Sequence, residues 1–377
     1  MANALGYLLT VVAARVLGPA EFGAFGALLA LVIADSVAAL AVQATTAKAT
    51  ARGQAVAPVV RAGLAIAVAV GALLAVLSPV LREFLQLSSA VPALAVAVGI
   101  LALTATAPAL GIVQGAERFP VLAILVAGQA LLRVAGGLAG MLVNPTASGA
   151  LVGIAGGLAI AGVVCWLVAR PPVRPARLHS LGVSVRNTVS SAGMLLAFVL
   201  LTNADVFLAR HVLPAGQSGL YAAGSIFTKI AFWLPQFVPL VAFPALTDPQ
   251  RRRGAFRLGL LAVVGCGAAL VAGVALLSGV AVGIVAGDQY ADLTPWVAWF
   301  TALGATLAVA QLLVYAHLAS GDRLTTAVLW LVLAAYVVVV ELTADSLPGV
   351  LVPTMCAAAV VVGWGVLRER TRHVSET

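Results

Sequence analysis

Long apolar runs alternate along the chain with short segments that carry proline, glycine and charge. A helix needs about 20 apolar residues to cross the hydrocarbon core of a bilayer. The runs are continuous rather than alternating, which indicates helices and not strands. The pattern predicts twelve spans, at residues 1–17, 22–44, 59–80, 93–115, 120–142, 147–169, 188–211, 219–246, 256–285, 294–318, 324–343 and 349–367.

Composition agrees with this pattern and excludes a soluble protein. Hydrophobic residues make up 62% of the chain, charged residues make up 9%, and the mean hydropathy is +1.11. Soluble domains carry roughly 25% charged residues. The sequence therefore predicts an all-α integral membrane protein. We interpret residues 1–17 as a short first span and not a signal peptide, because they lack a charged leading segment and a cleavage site. The shortness of this span leaves open a missing N-terminal piece.

The net charge of +8 would suggest nucleic acid in a soluble protein, but here its placement reports topology, and we expect no nucleic-acid partner. One set of alternate connections holds sixteen basic residues: Lys48, Arg52, Arg61, Arg118, Arg170, Arg174, Arg177, Arg186, Arg251, Arg252, Arg253, Arg257, Arg323, Arg368, Arg370 and Arg372. The other set holds three: Arg15, Arg82 and Arg210. Cytoplasmic loops carry the excess of Lys and Arg, so both termini are predicted to be cytoplasmic.

The longest connection divides six spans from six. It predicts an N-terminal half at 1–169, a basic cytoplasmic linker at 170–187, and a C-terminal half at 188–377 with a short cytoplasmic tail. The linker is rich in proline and arginine, which suits a segment at the lipid headgroups. We interpret this linker as a loop that sets the membrane topology and not as a specific lipid-binding site.

A short echo relates the two halves. Ala14-Arg15-Val16-Leu17-Gly18-Pro19-Ala20 is matched by Ala209-Arg210-His211-Val212-Leu213-Pro214-Ala215, and a Gly-x-aromatic step opens the next run in both. Repeated six-helix halves are typical of secondary transporters, with the substrate expected at the interface between halves. The two copies share orientation, which predicts two pseudo-symmetric halves about an axis along the membrane normal.

Four charged residues stand inside predicted spans, away from the span ends, and mark the candidate site. They are Asp35, Arg133, Asp205 and Lys229. Each costs roughly 2.5–3.5 kcal/mol at the centre of a bilayer, so each should face a watery cavity or another charge. With Arg15 and Arg210 at the outer ends of spans 1 and 7, this set holds four cations and two carboxylates. Such a cavity would attract an anion.

Each of these residues has a structural alternative. Asp205 and Arg210 are equally well interpreted as a local pair near the outer surface, and Arg15 as a residue that reaches toward headgroups. Arg133 has Gln129 one turn earlier on the same face, and Lys229 is equally deep. A cavity-lining role is favoured for Arg133 and Lys229. Asp35 is a candidate counter-ion, or a site for a proton or another coupling cation.

No pattern in the sequence indicates an enzyme or a bound cofactor. The histidines are scattered, the three cysteines are single, and neither a phosphate loop nor a Ser/His/Asp arrangement is present. Glycines at four-residue spacing predict close helix packing. They stand in three groups: Gly136 and Gly140; Gly149, Gly153 and Gly157; Gly279, Gly283 and Gly287.

The segment Ala14 to Gly23 resembles the opening of polysaccharide or O-antigen flippases (Wzx type) of the multidrug/oligosaccharidyl-lipid/polysaccharide exporter (MOP) superfamily. Asn203-Ala204-Asp205, Gly219 to Ala223 and Phe243-Pro244 look like the counterpart in the second half. This resemblance implies a flippase that moves a polyprenyl-diphosphate-linked oligosaccharide from the cytoplasmic to the outer leaflet of a bacterial inner membrane. Its partners would be this substrate, membrane lipids, and a glycan polymerase or glycosyltransferases.

The related lipid II flippases use cationic residues in a central cavity for the diphosphate. By position, the resemblance carries this role to Arg15. Arg133 and Lys229 come from the analysis of charge inside the spans. Two alternatives stay open: a cation-coupled multidrug exporter on the same fold, and a non-transporting scaffold that recruits glycan enzymes through the basic linker.

Overall fold

A computed structural model describes residues 2–169, 193–236, 252–319 and 322–375, and every regular element in these ranges is helical. The first half contains α1 (Ala2–Val16), α2 (Pro19–Ala51), α3 (Ala57–Val76), α4 (Ser78–Phe84), α5 (Val91–Gly115), α6 (Phe119–Val143) and α7 (Ala147–Ala169). The second contains α8 (Gly193–Leu201), α9 (Ala204–Val212), α10 (Ala215–Trp233), α11 (Arg252–Leu276), α12 (Ser278–Val285), α13 (Val297–Ala319), α14 (Arg323–Thr343) and α15 (Leu347–Ser375). Short 3-10 turns occupy Leu234–Gln236 and Asp288–Leu293.

Proline sets the start of many of these helices. Five consecutive helices, α2 to α6, carry a proline at one of their first two positions. Proline has the backbone angle of a helix already, and the N–H that it lacks has no intrahelical partner at a helix start. The Pro-containing polar segments that separate the apolar runs therefore become helix starts.

The helices account for the predicted twelve spans. Within the described residues, nine helices are long and apolar enough to cross a membrane. Counted as one span, the bent pair α8 and α9 gives a tenth, and the helices α1 and α10 lie where the sequence predicts spans 1 and 8. The protein is an all-helical, multi-pass membrane protein with two six-span halves, as the sequence predicts.

Corresponding helices occupy the centre of each half. In the first half, α5 packs against α2, α3 and α7. Of an 18-residue apolar stretch of α5, 78% is buried inside the protein, compared with 17% of the corresponding stretch of α3. In the second half, α13 packs against α10, α11 and α15 and is 67% buried. α5 and α13 are the fourth spans of their halves, so the repeat extends from the sequence echo to the packing order.

Three predicted spans are interrupted or bent in the structure. Spans 3 and 9 are each interrupted, at Leu77 and Leu277, where a serine begins the short helix α4 or α12. Span 7 is bent by 44° between α8 and α9. Hydropathy could not show these breaks because an interrupted helix pair is as apolar as a continuous helix. Helix α2 also extends beyond the predicted second span, since it runs to Ala51 and includes Lys48.

The chain divides into two compact units, Met1–Leu196 and Ala197–Thr377. The predicted linker at 170–187 lies outside the described residues, and so does the Phe243-Pro244 part of the resemblance.

The predicted glycine contacts are present between α6 and α7. A Cβ on Gly136 would overlap the carbonyl oxygen of Gly153, and one on Gly140 would overlap that of Gly149. The prediction for Gly279 is wrong, because a Cβ added there would meet no atom of the described residues within 4 Å.

Candidate functional site

Arg133 and Gln129 form a pair of unsatisfied donors on α6. They lie one turn apart, and both Nε of Arg133 and Nε2 of Gln129 are buried without a hydrogen-bond acceptor in the described part of the chain. Arg133 takes part in no salt bridge with a described residue. Buried polar groups normally have partners. An arginine and an amide with free N–H groups can therefore accept an anionic or oxygen-rich ligand.

Two glycines allow neighbouring helices to approach Arg133 closely, one at its side chain and one at its backbone. A Cβ on Gly6 of α1 would stand 2.9 Å from Nη2 of Arg133, so the guanidinium lies directly against the α1 backbone. Gly157 of α7 packs against the α6 backbone at Leu132 and Arg133. Gly6 and Arg133 each lie ten residues before the ends of their helices at Val16 and Val143, or about 15 Å at the helical rise. Arg133 thus lies deep in its span.

Asp35 belongs to a separate contact between α2 and α5. Its Oδ2 accepts a hydrogen bond from Oγ1 of Thr104 at 2.7 Å, and both residues are buried. Two turns further along the same interface, Nε2 of Gln43 donates to Oε1 of Gln114 at 2.8 Å. The carboxylate of Asp35 therefore faces α5, in a polar strip along the most buried helix of the first half.

Arg15 lies apart from the Arg133 pair. It is exposed in the last turn of α1, nine residues beyond Gly6, a separation of about 14 Å along the helix. Near the same helix end, Oε2 of Glu21 accepts the N–H of Ala147 at 2.8 Å and so satisfies the first turn of α7.

In the second half, the bend between α8 and α9 is built around Asn203. Its Nδ2 donates to the carbonyl oxygen of Val199 at 2.8 Å, and its Oδ1 accepts a hydrogen bond from Nζ of Lys229 at 2.7 Å. The amide of Asn203 therefore joins the broken end of α8 to the C-terminal part of α10. Lys229 is half-buried by accessible surface, and its ammonium group is directed into the protein.

Asp205 begins a buried network two residues after Asn203. Its carboxylate is 3% exposed, and Lys229 interacts with it electrostatically. Oδ2 accepts a hydrogen bond from the Tyr221 hydroxyl at 3.3 Å, and the backbone N–H groups of Asp205 and Val206 also face the carboxylate, although Oδ1 makes no hydrogen bond of full geometry with a described residue. The Tyr221 hydroxyl also lies 3.5 Å from Oγ1 of Thr354, which is 2.9 Å from the Tyr336 hydroxyl. Helices α9, α10, α14 and α15 thus meet at one polar cluster.

Arg210 lies outside this cluster. It is 4% exposed at the end of α9, and its Nη1 donates to Oγ of Ser218 at 3.0 Å. The neighbouring His211 pairs with Glu341 at 3.5 Å. Although Arg15 and Arg210 hold matching places in the sequence echo, the first is exposed and the second is buried.

The structure therefore groups the predicted residues in two places. Gln129 and Arg133 stand together in the first half, and Asp205 and Lys229 stand together in the second. Sequence reasoning missed the neutral partners, namely Thr104, Asn203, Tyr221, Tyr336 and Thr354. A signal was present for Asn203 and Tyr221, which belong to the segments that carry the family resemblance. No group of three metal-binding side chains occurs in the described ranges.

The sequence profile described as "Polysaccharide biosynthesis protein" matches residues 1–249, about two thirds of the chain. The chain belongs to this family. Membership confirms the resemblance noted at Ala14 to Gly23. No curated protein sequence matches the chain.

Solved structures of the MOP superfamily share the fold of this family member. The lipid II flippase MurJ in an inward closed conformation matches with a TM-score of 0.75 at 11% identity, over 98% of this chain and 86% of MurJ. The eukaryotic MATE transporter AtDTX14 matches with a TM-score of 0.64 at 14% identity, over 97% and 91%. A MOP superfamily transporter from Pyrococcus furiosus matches with a TM-score of 0.61 at 13% identity, over 97% and 92%. At these identities the likeness shows the fold alone.

Proposed function

We propose that this protein is a flippase that moves a polyprenyl-diphosphate-linked oligosaccharide between membrane leaflets by alternating access, for polysaccharide assembly. The observation that carries the proposal is the unsatisfied Arg133 and Gln129 pair, deep within a span of a polysaccharide biosynthesis family member. A buried cation without a carboxylate partner is costly unless a ligand or water compensates it. A diphosphate supplies that compensation.

The chemistry of the ligand fits the available groups. A diphosphate cannot enter hydrocarbon unaided, and a guanidinium binds phosphate oxygens through two parallel hydrogen bonds. Lys229 adds a point charge for the diphosphate in the second half, and Arg15 adds another at the exposed outer end of α1. Asp35 and Asp205 act as counter-ions or coupling sites, and Arg210 is a further candidate cation at the end of α9. The sugars occupy water, while the prenyl chain stays in lipid.

The compartment follows from the charge distribution and the proposed substrate. We place the protein in a bacterial inner membrane with both termini in the cytoplasm, so that the substrate moves from the inner to the outer leaflet. Glycosyltransferases and a glycan polymerase would be its neighbours in assembly. Reporter fusions at the C-terminus and in the connection after α1 should give cytoplasmic and outer signals respectively. The opposite result would reverse the orientation.

Transport in proteoliposomes tests the function. The assay follows the accessibility of a short-chain polyprenyl-diphosphate oligosaccharide to an external glycosidase. Arg133→Gln should lower the flipping rate about 10- to 100-fold, since hydrogen bonds to charged groups are worth roughly 1.5–3 kcal/mol. Arg82→Gln, at an exposed arginine of α4, is the matched control and should leave the rate unchanged.

The same vesicles distinguish the rival transporter. A wild-type protein that leaves the lipid-linked substrate in place but extrudes a cationic dye would be a multidrug exporter. Equal flipping rates in Arg133→Gln and the wild type would refute the cationic mechanism.

A further inference from the structure

Asn203 stands at the break of span 7, and its side chain replaces a backbone hydrogen bond that the break removes. In a continuous helix, the N–H of Asn203 would donate to the carbonyl oxygen of Val199, four residues earlier. Here that N–H donates to the carbonyl oxygen of Leu200 at 3.1 Å, and Nδ2 of Asn203 donates to the Val199 oxygen at 2.8 Å. The broken end of α8 therefore occupies the donor half of the amide.

The acceptor half of the same amide holds Lys229. Oδ1 of Asn203 accepts a hydrogen bond from Nζ of Lys229 at 2.7 Å. The two partners fix which end of the amide is oxygen, because an ammonium group can only donate and the Val199 carbonyl can only accept. Asn203 is also 7% exposed, so the side chain is held in one orientation between two elements.

Asn203 makes this contact in place of the one that is usual for its position. It is the N-cap residue of α9, where an asparagine oxygen commonly accepts an N–H of the first helical turn, yet its side chain makes no such bond in α9. The N–H groups of Asp205 and Val206 in that turn face the carboxylate of Asp205 instead. Oδ1 of Asn203 is therefore available to Lys229.

The contact fixes the ammonium group of Lys229 without placing a carboxylate against it. Asp205 acts on Lys229 electrostatically, but Lys229 makes no salt bridge with a described residue, and its hydrogen-bond partner is a neutral amide. An ammonium group has three donors, of which one goes to Asn203. The long stem of a lysine loses conformational freedom when a ligand fixes it. A contact that holds the ammonium group beforehand removes part of that cost.

We propose that Asn203 is a positioning residue, which holds the Lys229 ammonium group in place for a diphosphate and, being neutral, leaves its charge available to the anion. The inference rests on the proposed function, which assigns a diphosphate contact to Lys229. The remaining ammonium donors bind phosphate oxygens while one stays on Asn203. The break of span 7 thereby contributes to the anion site, since the amide that completes the end of α8 also carries the ammonium group.

Binding of farnesyl diphosphate to the purified full chain in nanodiscs tests this role through a double-mutant cycle. Asn203→Ala should weaken binding about two- to tenfold, the cost of immobilising one long side chain. In a Lys229→Gln background the same substitution should change the affinity little, because the group that Asn203 positions is gone. Thr202→Val is the matched control. It removes another hydrogen bond to the Val199 carbonyl oxygen, at 3.0 Å, but leaves the contact with Lys229 in place, so it should bind like the wild type.

Asn203→Asp tests the importance of a neutral partner. The carboxylate has nearly the same size as the amide and can pair directly with Lys229, so it neutralises the charge that the anion needs. Asn203→Asp should therefore weaken probe binding by more than Asn203→Ala does. Binding as tight as that of the wild type would show that the neutrality of Asn203 is unimportant and would overturn that part of the proposal.

Asn203→Ser separates support of the bend from support of Lys229, and it carries the test if the alanine variant does not fold. Its hydroxyl can donate to the carbonyl oxygen four residues earlier, but it ends one atom short of the position of Oδ1. It should bind the probe as weakly as Asn203→Ala. Recovery of wild-type affinity in Asn203→Ser would reject the positioning role.

The cycle also distinguishes failure of this inference from failure of the proposed function. Equal losses from Asn203→Ala with and without Lys229 would show that Asn203 only shapes the bend, and the diphosphate contact of Lys229 would stand. If Lys229→Gln binds the probe as well as the wild type, the diphosphate contact itself is wrong, and the positioning role is wrong with it.

Discussion

The guanidinium of Arg133 lies against Gly6, where a Cβ would stand 2.9 Å from Nη2. The short first helix therefore determines where the deepest cation of the first half can point. Alanine at position 6 should displace the guanidinium without removing its charge.

Gly6→Ala should reduce flipping roughly ten- to a hundredfold, because small misplacements of a binding group are costly. The measurement is flipping in proteoliposomes at equal protein density. Gly128→Ala is the control, since Gly128 stands on α6 beside Gln129 and has no neighbour within 4 Å. Equal losses in the two variants would show that any added methyl group, and not the Arg133 position, causes the defect.

A second prediction concerns the contact of α6 with α7. Gly153→Ala would drive a methyl group into the carbonyl oxygen of Gly136, and rigid backbone cannot yield as a side chain does. Overpacking of this kind costs about 1–3 kcal/mol or more. The apparent melting temperature in detergent should fall clearly. Gly156→Ala, three residues away with no neighbour within 4 Å, should melt like the wild type. Similar melting of both alanine variants would contradict the close packing.

The spans and halves could be predicted because lipid imposes a strong constraint, whereas the contacts of polar side chains follow from packing. Thr104 and Thr106 show the difference. Thr104 donates to Asp35, but Thr106 donates to the carbonyl oxygen of Ala102 in its own helix. A threonine can satisfy itself in this way, so its presence in an apolar run does not reveal a partner.

Charged residues indicated the site more clearly than threonines, because a charged side chain in lipid cannot be compensated by its own helix alone. That signal identified Arg133 and Lys229 as unusual residues but did not assign their neighbours. The glycine spacing was similarly incomplete. Gly136 and Gly279 belong to the same kind of motif, yet one touches a facing backbone and the other has open space beside it. Which face of a helix meets protein depends on the tertiary arrangement.

The hydrogen bond from Thr104 to Asp35 leads to a third prediction. Thr104→Val keeps the shape of the side chain and removes the donor, so the buried carboxylate loses its hydrogen bond. The free energy of unfolding should fall by about 1–3 kcal/mol. Thr104→Ser retains a hydroxyl and should recover most of the loss. Thermal unfolding of the three proteins at pH 7 makes the comparison, and equal stability of Thr104→Val and the wild type would show that the bond contributes nothing.

The last prediction concerns Asp322, which begins α14 outside the spans. Burial alone would raise the pKa of this carboxyl, but hydrogen bonds from Arg368, Thr325 and the Leu324 N–H outweigh it and hold the pKa below the usual value. Nε of Arg368, the Thr325 hydroxyl and the Leu324 nitrogen each lie 3.1 Å from a carboxylate oxygen. The contact therefore joins the start of α14 to α15.

Because the folded pKa is lowered, this contact contributes its full stability above the ordinary aspartate value of 3.8 and loses it as the pH falls through the lower folded value. The melting temperature of the wild type should thus fall more steeply below about pH 4 than that of Asp322→Asn, which should already be less stable at pH 7. Asp345→Asn, at an exposed aspartate between α14 and α15, should follow the wild type. Parallel melting curves for the wild type and Asp322→Asn across this acid range would contradict the assigned role of the carboxylate.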